Sequence, residues 1–293
     1  MRIYLTGASG FVGSNLTYVF ERRGAEVIGP SHADVDLTDP DAVLRSIRDA
    51  KPDAIVHAAI WNAFAGLLSD RRKAWDSFVV ATRNVVDAAN AVGAHVVLIS
   101  TDWVFDGTQG PAAEDDPPNP IQTYGVLKVL CEQVVHDRAA RGTVARIAGV
   151  QGVHRARPAT LREQDAGFGY LVASVVDALR EGRQFTVWDD PGLNTIATPI
   201  LATDAGELIY AALERNATGI LHCVGSEHID RVSLARRAVS AFGLDEALLS
   251  VGPPQERMNA PYDTSLDATR TAATLGVTLP DVDALLAGLK AQL

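Results

Sequence analysis

Short apolar, β-branched runs alternate along the chain with longer stretches whose apolar residues recur at helical spacing, a pattern that predicts βαβ units around a parallel sheet. Ile3 to Thr6, Glu26 to Gly29, Ala54 to His57, Val96 to Ser100 and Thr143 to Ile147 read as strands. Val12 to Arg23, Asp41 to Ala50, Ala74 to Val92 and Tyr124 to Arg141 read as the helices between them. The layout is doubly wound α/β. Gly107 to Pro120 carries four prolines with acids between them and reads as a surface loop. After about residue 150 the alternation weakens. His154 to Gly169 is basic and aperiodic, while Tyr170 to Arg180, Leu201 to Leu213, Val232 to Phe242 and Val282 to Leu293 look helical.

Composition narrows the function classes. The 293 residues are 47% hydrophobic and 21% charged, which suits a folded chain of about two domains. With 26 Lys and Arg against 36 Asp and Glu the net charge is −10, which argues against a broad nucleic-acid or anionic-membrane surface. The longest apolar runs, such as Val96 to Ile99, are far shorter than the roughly 18 residues of a membrane span. The chain opens directly on a strand pattern, so the cytoplasm is the expected compartment. Cys131 and Cys223 stand far apart in no metal spacing, so they read as buried thiols and no metal site is expected.

Thr6-Gly7-Ala8-Ser9-Gly10-Phe11-Val12-Gly13 follows the first strand and opens the first helix. Gly7 suits a tight turn, Gly10 the approach of backbone to a pyrophosphate, and Gly13 the close packing of helix on strand. The helix start offers free N–H groups to the anion. Residues 1–150 are therefore expected to form an NAD(P)-binding domain of Rossmann type, and 151–293 a smaller mixed substrate region interleaved with the last strands of the sheet. At the tip of the second strand, Gly29-Pro30-Ser31-His32, no acid stands where an NAD-binding fold would hold the ribose hydroxyls. That favours NADPH over NADH, or indifference between them, with Ser31 and His32 either neighbours of a 2′-phosphate or ordinary loop residues.

Tyr124-Gly125-Val126-Leu127-Lys128 places a phenol and an ammonium on one helical face, where the cation is expected to pull the phenol pKa down. Ser100-Thr101 ends a central strand, at the edge where open α/β sheets bind ligands. Together with the glycine motif these residues resemble the extended short-chain dehydrogenase/reductase superfamily. Ser100-Thr101-Asp102-Trp103-Val104-Phe105-Asp106-Gly107 resembles the S-T-D-Y-V-F-x-G of the dTDP-4-dehydrorhamnose reductase family. Asp36-Leu37-Thr38-Asp39, Ala58-Ala59, Ser265-x-Asp267 and Leu275-Gly276 extend the likeness over nearly the whole chain.

The resemblance implies an NAD(P)H-dependent ketone reductase acting on a 4-keto nucleotide sugar or a related polar biosynthetic ketone. It implies Thr101 as catalytic hydroxyl, Tyr124 as general acid and Lys128 as the group on the nicotinamide ribose. Gly7, Ser9, Gly10, Phe11, Val12 and Gly13 would hold the cofactor phosphates. Asp36 and Leu37 would lie on its adenine side, and Ala58, Ala59 and Ile60 beside it. Nucleotide-sugar dehydratases of the superfamily carry Asp-Glu after the Thr; here Trp103 follows Asp102, which argues against elimination chemistry.

The chain departs from the family at several points. Ile60-Trp61-Asn62-Ala63-Phe64 replaces a polar substrate loop, Gly149 a tryptophan, Ala260 an arginine, and Phe78 the helix asparagine that would serve the tyrosine's proton supply. Substrate contacts are expected from Asp102, which is alternatively a loop cap, and from Trp61 and Phe64, either a ligand wall or packing. Arg155, Arg157 and Arg162 would neutralise a phosphate or carboxylate, or form a solvated basic loop. His57 reads as a core histidine. A second class of function remains open: a cofactor-binding regulatory or scaffold subunit without turnover, as in the related regulatory subunit of methionine adenosyltransferase. The expected partner is a small molecule, and the oligomeric state stays open, a homodimer included.

Overall fold

The computed structural model describes residues 1–61, 63, 66–159, 163–256 and 258–293. Phe64 and Arg162 lie outside them. The first half builds β1 (Arg2–Thr6), α1 (Phe11–Arg22), β2 (Glu26–Ile28), α2 (Pro40–Ala50) and β3 (Ala54–His57). It continues with α3 (Gly66–Ser69), α4 (Arg71–Trp75), α5 (Ala81–Val92), β4 (His95–Thr101), α6 (Thr123–Arg138) and β5 (Gly142–Ile147). Then come α7 (Leu171–Arg180), β6 (Phe185–Trp188), β7 (Ile196–Ala197), α8 (Ala202–Glu214), β8 (Gly219–His222) and β9 (Ile229–Asp230). The chain closes with α9 (Arg231–Phe242), β10 (Leu249–Gly252), α10 (Thr269–Leu275) and α11 (Val282–Lys290).

Six strands make one all-parallel sheet in the order β2-β1-β3-β4-β5-β8. The chain leaves β1 toward β2 on one side and returns at β3 on the other, so the strand order reverses between β1 and β3. A ligand crevice belongs at that switch point, beyond the carboxyl ends of the strands. Helices cover both faces. Ile3, Leu5, Val56 and Val97 pack with Leu16, Phe20 and Ile209 of α1 and α8, while Tyr4, Ile55, Val96 and Leu98 pack with Ile47, Val85 and Leu127 of α2, α5 and α6. Strands buried on both sides read as apolar runs, which is why they were legible. A smaller cluster, with Leu171, Val175, Leu234 and Leu285, forms beneath the parallel pair β6-β10 and the antiparallel pair β7-β9. No helix among the described residues is long and apolar enough to cross a membrane.

Three expectations are corrected. The stretch Ala74 to Val92 is not one α-helix: Asp76–Val80 winds as a π-helix between α4 and α5, and the Thr82 hydroxyl donates to the Phe78 carbonyl at 2.6 Å. The wider turn rotates the following residues round the axis. Helix α6 stops at Arg138, because Ala139 is already extended (φ −75°, ψ 126°) on the way into β5. The proline-rich loop is only partly at the surface. Ala112 and Glu114 are buried, and the Glu114 carboxylate accepts from the backbone and side chain of Thr271 at 3.1 and 2.7 Å. A carboxylate with two donors at hand can leave water, and hydropathy alone does not show those donors.

Candidate active site

At the switch point a cleft of about 1080 Å³ runs from the glycine turn, past the end of β4, to the segment after β5. Gly13 sits where helix and turn meet: a Cβ there would lie 2.0 Å from the Gly7 carbonyl oxygen. Helix α1 starts at Gly10 with no side-chain cap and no acid in its first turn, so its first N–H groups face the cleft mouth unneutralised. Ser9, Gly10, Phe11 and Val12 line this end. Thr6 braces the turn from below, taking the Ala59 N–H at 3.3 Å while its hydroxyl meets His57 Nδ1 at 2.7 Å. His57 is buried, and burial followed by the nearby Lys128 charge pushes its pKa down to about 3, so it is neutral.

Farther along, Ser31, His32, Asp36 and Leu37 border the cleft on one side and Ala58, Ala59, Ile60 and Trp61 on the other. The Asp36 carboxylate is tied to the N–H and hydroxyl of Thr38 at 2.8 and 2.7 Å, which holds its pKa below the usual carboxylate range. Ser31 is engaged by Asp34 in the same manner.

Thr101 is the last residue of β4, and Tyr124 and Lys128 lie one turn apart on α6. The helix can come this close because residue 125 is glycine: a Cβ there would lie 2.1 Å from the Trp103 carbonyl oxygen. The hydroxyls of Tyr124 and Thr101 are hydrogen-bonded. Thr101 also donates to Asp102 Oδ1 at 2.9 Å and accepts from the Trp103 N–H at 3.2 Å. The other Asp102 oxygen takes the Thr264 hydroxyl. Burial pushes the Asp102 pKa up to about 6 against these donors.

The expectation that Lys128 lowers the phenol pKa is not met. Burial and then the Asp102 charge raise it, while the Lys128 ammonium turns to the Ile99 carbonyl at 2.8 Å. Burial also holds the lysine below its ordinary value. Phe78 stands edge-on to Tyr124, with ring centres 6.1 Å apart at 81°, and its ring centre is 5.8 Å from Lys128 Nζ. Phe78, the departure noted from the family's helix asparagine, thus presents an aromatic edge beside Tyr124 and Lys128.

Arg157 lines the cleft. Arg155 does not: its guanidinium lies 3.5 Å from the Tyr18 ring centre and donates to Asn15 Oδ1 at 3.1 Å, so α1 claims it. The far wall comes from residues that pattern reading did not single out, Asp165 to Tyr170 and Asn194. Arg231 organizes that wall. Fully buried at the start of α9, it donates to the carbonyls of Asp165 at 2.9 Å and Gly167 at 2.6 Å. Nothing in the sequence marks Arg231 as the anchor of the loop around Gly167-Phe168-Gly169.

The sequence of this chain fits the description of the RmlD substrate binding domain over residues 1–291. The chain belongs to the RmlD substrate binding domain family. Among other members, it is similar to a dTDP-4-dehydrorhamnose reductase of Streptomyces griseus, 30% identical over 249 residues that cover 84% of this chain and 78% of that protein. It is also similar to a methionine adenosyltransferase 2 subunit beta of Pongo abelii, 33% identical over 286 residues, 94% of this chain and 83% of that one. In structure it resembles the dTDP-4-dehydrorhamnose reductase of Bacillus anthracis in complex with NADP, with a TM-score of 0.84, 20% identity and coverage of 100% and 99% of the two chains. This RmlD-family member is thus similar in sequence to proteins of two kinds, dTDP-4-dehydrorhamnose reductases and methionine adenosyltransferase 2 subunits beta.

Proposed function

We propose that the chain binds NADPH and reduces the ketone of a 4-keto nucleotide sugar or a related polar metabolite. The observation that carries this reading is the meeting of Thr101, Tyr124 and Lys128 at the carboxyl end of β4, inside the cleft that continues from the glycine turn. The uncapped start of α1 and the Gly7–Gly13 contact leave a cradle that suits a pyrophosphate. Asp36 and Leu37 would lie along the adenine, and Lys128 would hold the ribose next to the nicotinamide. When bound, the cofactor supplies a hydride to the ketone carbon. Tyr124 donates its proton to the oxygen that becomes negative, and Thr101 hydrogen-bonds the same oxygen. Asp102, Trp61 and Arg157 would meet the substrate.

The test is NADPH oxidation with a panel of keto-sugars, dTDP-4-dehydrorhamnose included, for wild type and Tyr124→Phe. Turnover by wild type with a loss of about 10²–10⁴ in the variant supports the reading. Tight NADPH binding by both proteins with no oxidation of cofactor by either points instead to a regulatory subunit. That second reading is favoured by Phe78 in place of the helix asparagine and by the likeness to the methionine adenosyltransferase subunit. A preference for NADH of about tenfold, near 1.4 kcal/mol, overturns the choice of NADPH. Sedimentation of the same samples reads whether a homodimer forms.

A further inference from the structure

A row of polar side chains crosses the sheet just behind the reaction end. Ser100 on β4 pairs in register with Arg146 on β5, and Arg146 with His222 on β8. Above the row, Glu132 comes down from α6, one turn beyond Lys128. Its carboxylate accepts the Ser100 hydroxyl at 2.5 Å and is gripped by Arg146 at 3.0 and 2.8 Å. Arg146 also reaches His222 Nε2 at 3.4 Å, and His222 Nδ1 meets the Asp267 carbonyl at 2.8 Å.

Stability alone is a poor reason for this arrangement. The side chains of Glu132 and Arg146 are 7% and 1% exposed, and a buried ion pair often does no better than well-packed apolar residues of the same volume. Geometry gives a better reason. Helix α6 holds the carboxyl end of the central strand β4 at two adjacent points, Lys128 to the Ile99 carbonyl and Glu132 to the Ser100 hydroxyl. Thr101 is the next residue along the strand, and Tyr124 is one turn back along the helix. We infer that Glu132 is a positioning residue, which together with Lys128 clamps α6 onto β4 and so sets Tyr124 and Lys128 in register with Thr101. The inference rests on the reductase reading of the site and adds to it a fourth group that does not touch the reacting atoms.

The clamp also carries charge. Among the described residues, Tyr124 and Cys131 on α6, His57 on β3, Arg146 on β5 and His222 on β8 stand around Lys128 and Glu132, with Asp102 acting on Tyr124 and Glu114 on His222. The two histidines are held neutral by burial, at about 3 and about 4. Burial lowers the Lys128 pKa, and Cys131 and then Glu132 work against it. Removing Glu132 takes that negative charge away from Lys128 and leaves the Arg146 guanidinium without its carboxylate.

The experiment compares kcat, KM and NADPH affinity against pH for wild type, Glu132→Gln, Ser100→Ala and the double variant Glu132→Gln/Arg146→Met. Misplacement of the reacting groups by about an ångström can cost on the order of 10²-fold, so Glu132→Gln is expected to lose at least about tenfold in kcat. The alkaline fall in its NADPH affinity, which reads the Lys128 ammonium, should move to lower pH. Ser100→Ala, which breaks the clamp without changing charge, should lose kcat with that fall in place. If Glu132→Gln does not fold, the double variant decides, because it leaves no unpaired guanidinium. A wild-type kcat in that folded double variant overturns the inference, as do an unchanged kcat and pH profile in Glu132→Gln. Tryptophan quenching by NADPH reads the same shift of Lys128 without turnover. A wild type that binds NADPH but reduces nothing defeats the reductase reading, while a displaced affinity profile in Glu132→Gln still upholds the clamp.

Discussion

Thr101 has one proton to give, and Asp102 and Tyr124 both stand within its reach. When Asp102 is ionised it accepts the hydrogen bond of that hydroxyl and, by its charge, makes the phenol a weaker acid. When Asp102 is protonated, the Thr101 proton is released for the substrate oxygen. Because burial lifts the carboxyl pKa to about 6, ketone reduction is expected to slow as pH rises through that value, and Asp102→Asn is expected to remove this limb. A kcat profile between about pH 5 and 8 for both proteins checks it. The folded chain holds the Asp102 proton more tightly than the unfolded chain. The residue's contribution to stability therefore falls as pH rises from about 4 to about 6. The wild-type minus Asp102→Asn difference in denaturation free energy should follow that fall and be flat above it. The Ser-Thr-Asp string was legible in the sequence. The raised pKa was not, since burial sets it and the donor that opposes burial, Thr264, lies 162 residues away along the chain.

Elements built on regular spacing were the easiest to anticipate, and the π segment was the hardest. Its five residues, Asp76–Val80, keep helical periodicity in sequence, yet one wider turn places Phe78 against both Tyr124 and Lys128. Phe78 is 2% exposed, so Phe78→Ala should cost roughly 3–5 kcal/mol and loosen the Tyr124 ring. Urea denaturation measures the first effect, and a lower kcat at preserved NADPH affinity the second. The glycine turn is the opposite case, an element whose geometry the sequence states outright. Gly13→Ala would push a methyl into the Gly7 carbonyl, costing about 1–3 kcal/mol or more and weakening NADPH binding. Retained affinity in that variant would show that helix and turn have another way to pack.

Across the whole molecule, one sheet joins the cofactor end to the distant C-terminal residues. The Ser100, Arg146 and His222 row leads on to Asp267, Thr271 and Glu114, so α10 and the proline-rich loop are coupled to the reaction end of the site. A ligand that binds only the folded chain should stabilise it by about 2.7 kcal/mol at a hundred times its Kd. NADPH at that excess is expected to raise the melting temperature by roughly 5 °C or more. The absence of any shift with either NADPH or NADH would count against a cofactor in this cleft.

What the sequence determined by itself is local and periodic: the parallel sheet, the glycine turn, and the spacing of Tyr124, Lys128 and Thr101. Apolar runs and residue spacings act over a few positions, so they survive without knowledge of neighbours. Only the tertiary structure decided which polar groups were buried and who partnered them. Arg155 went to α1 rather than the cleft, Arg231 to the carbonyls of the far wall, and Glu132 to Ser100 and Arg146. A charge can leave water only where donors and acceptors from remote segments converge on it, and that convergence is set when the chain closes on itself.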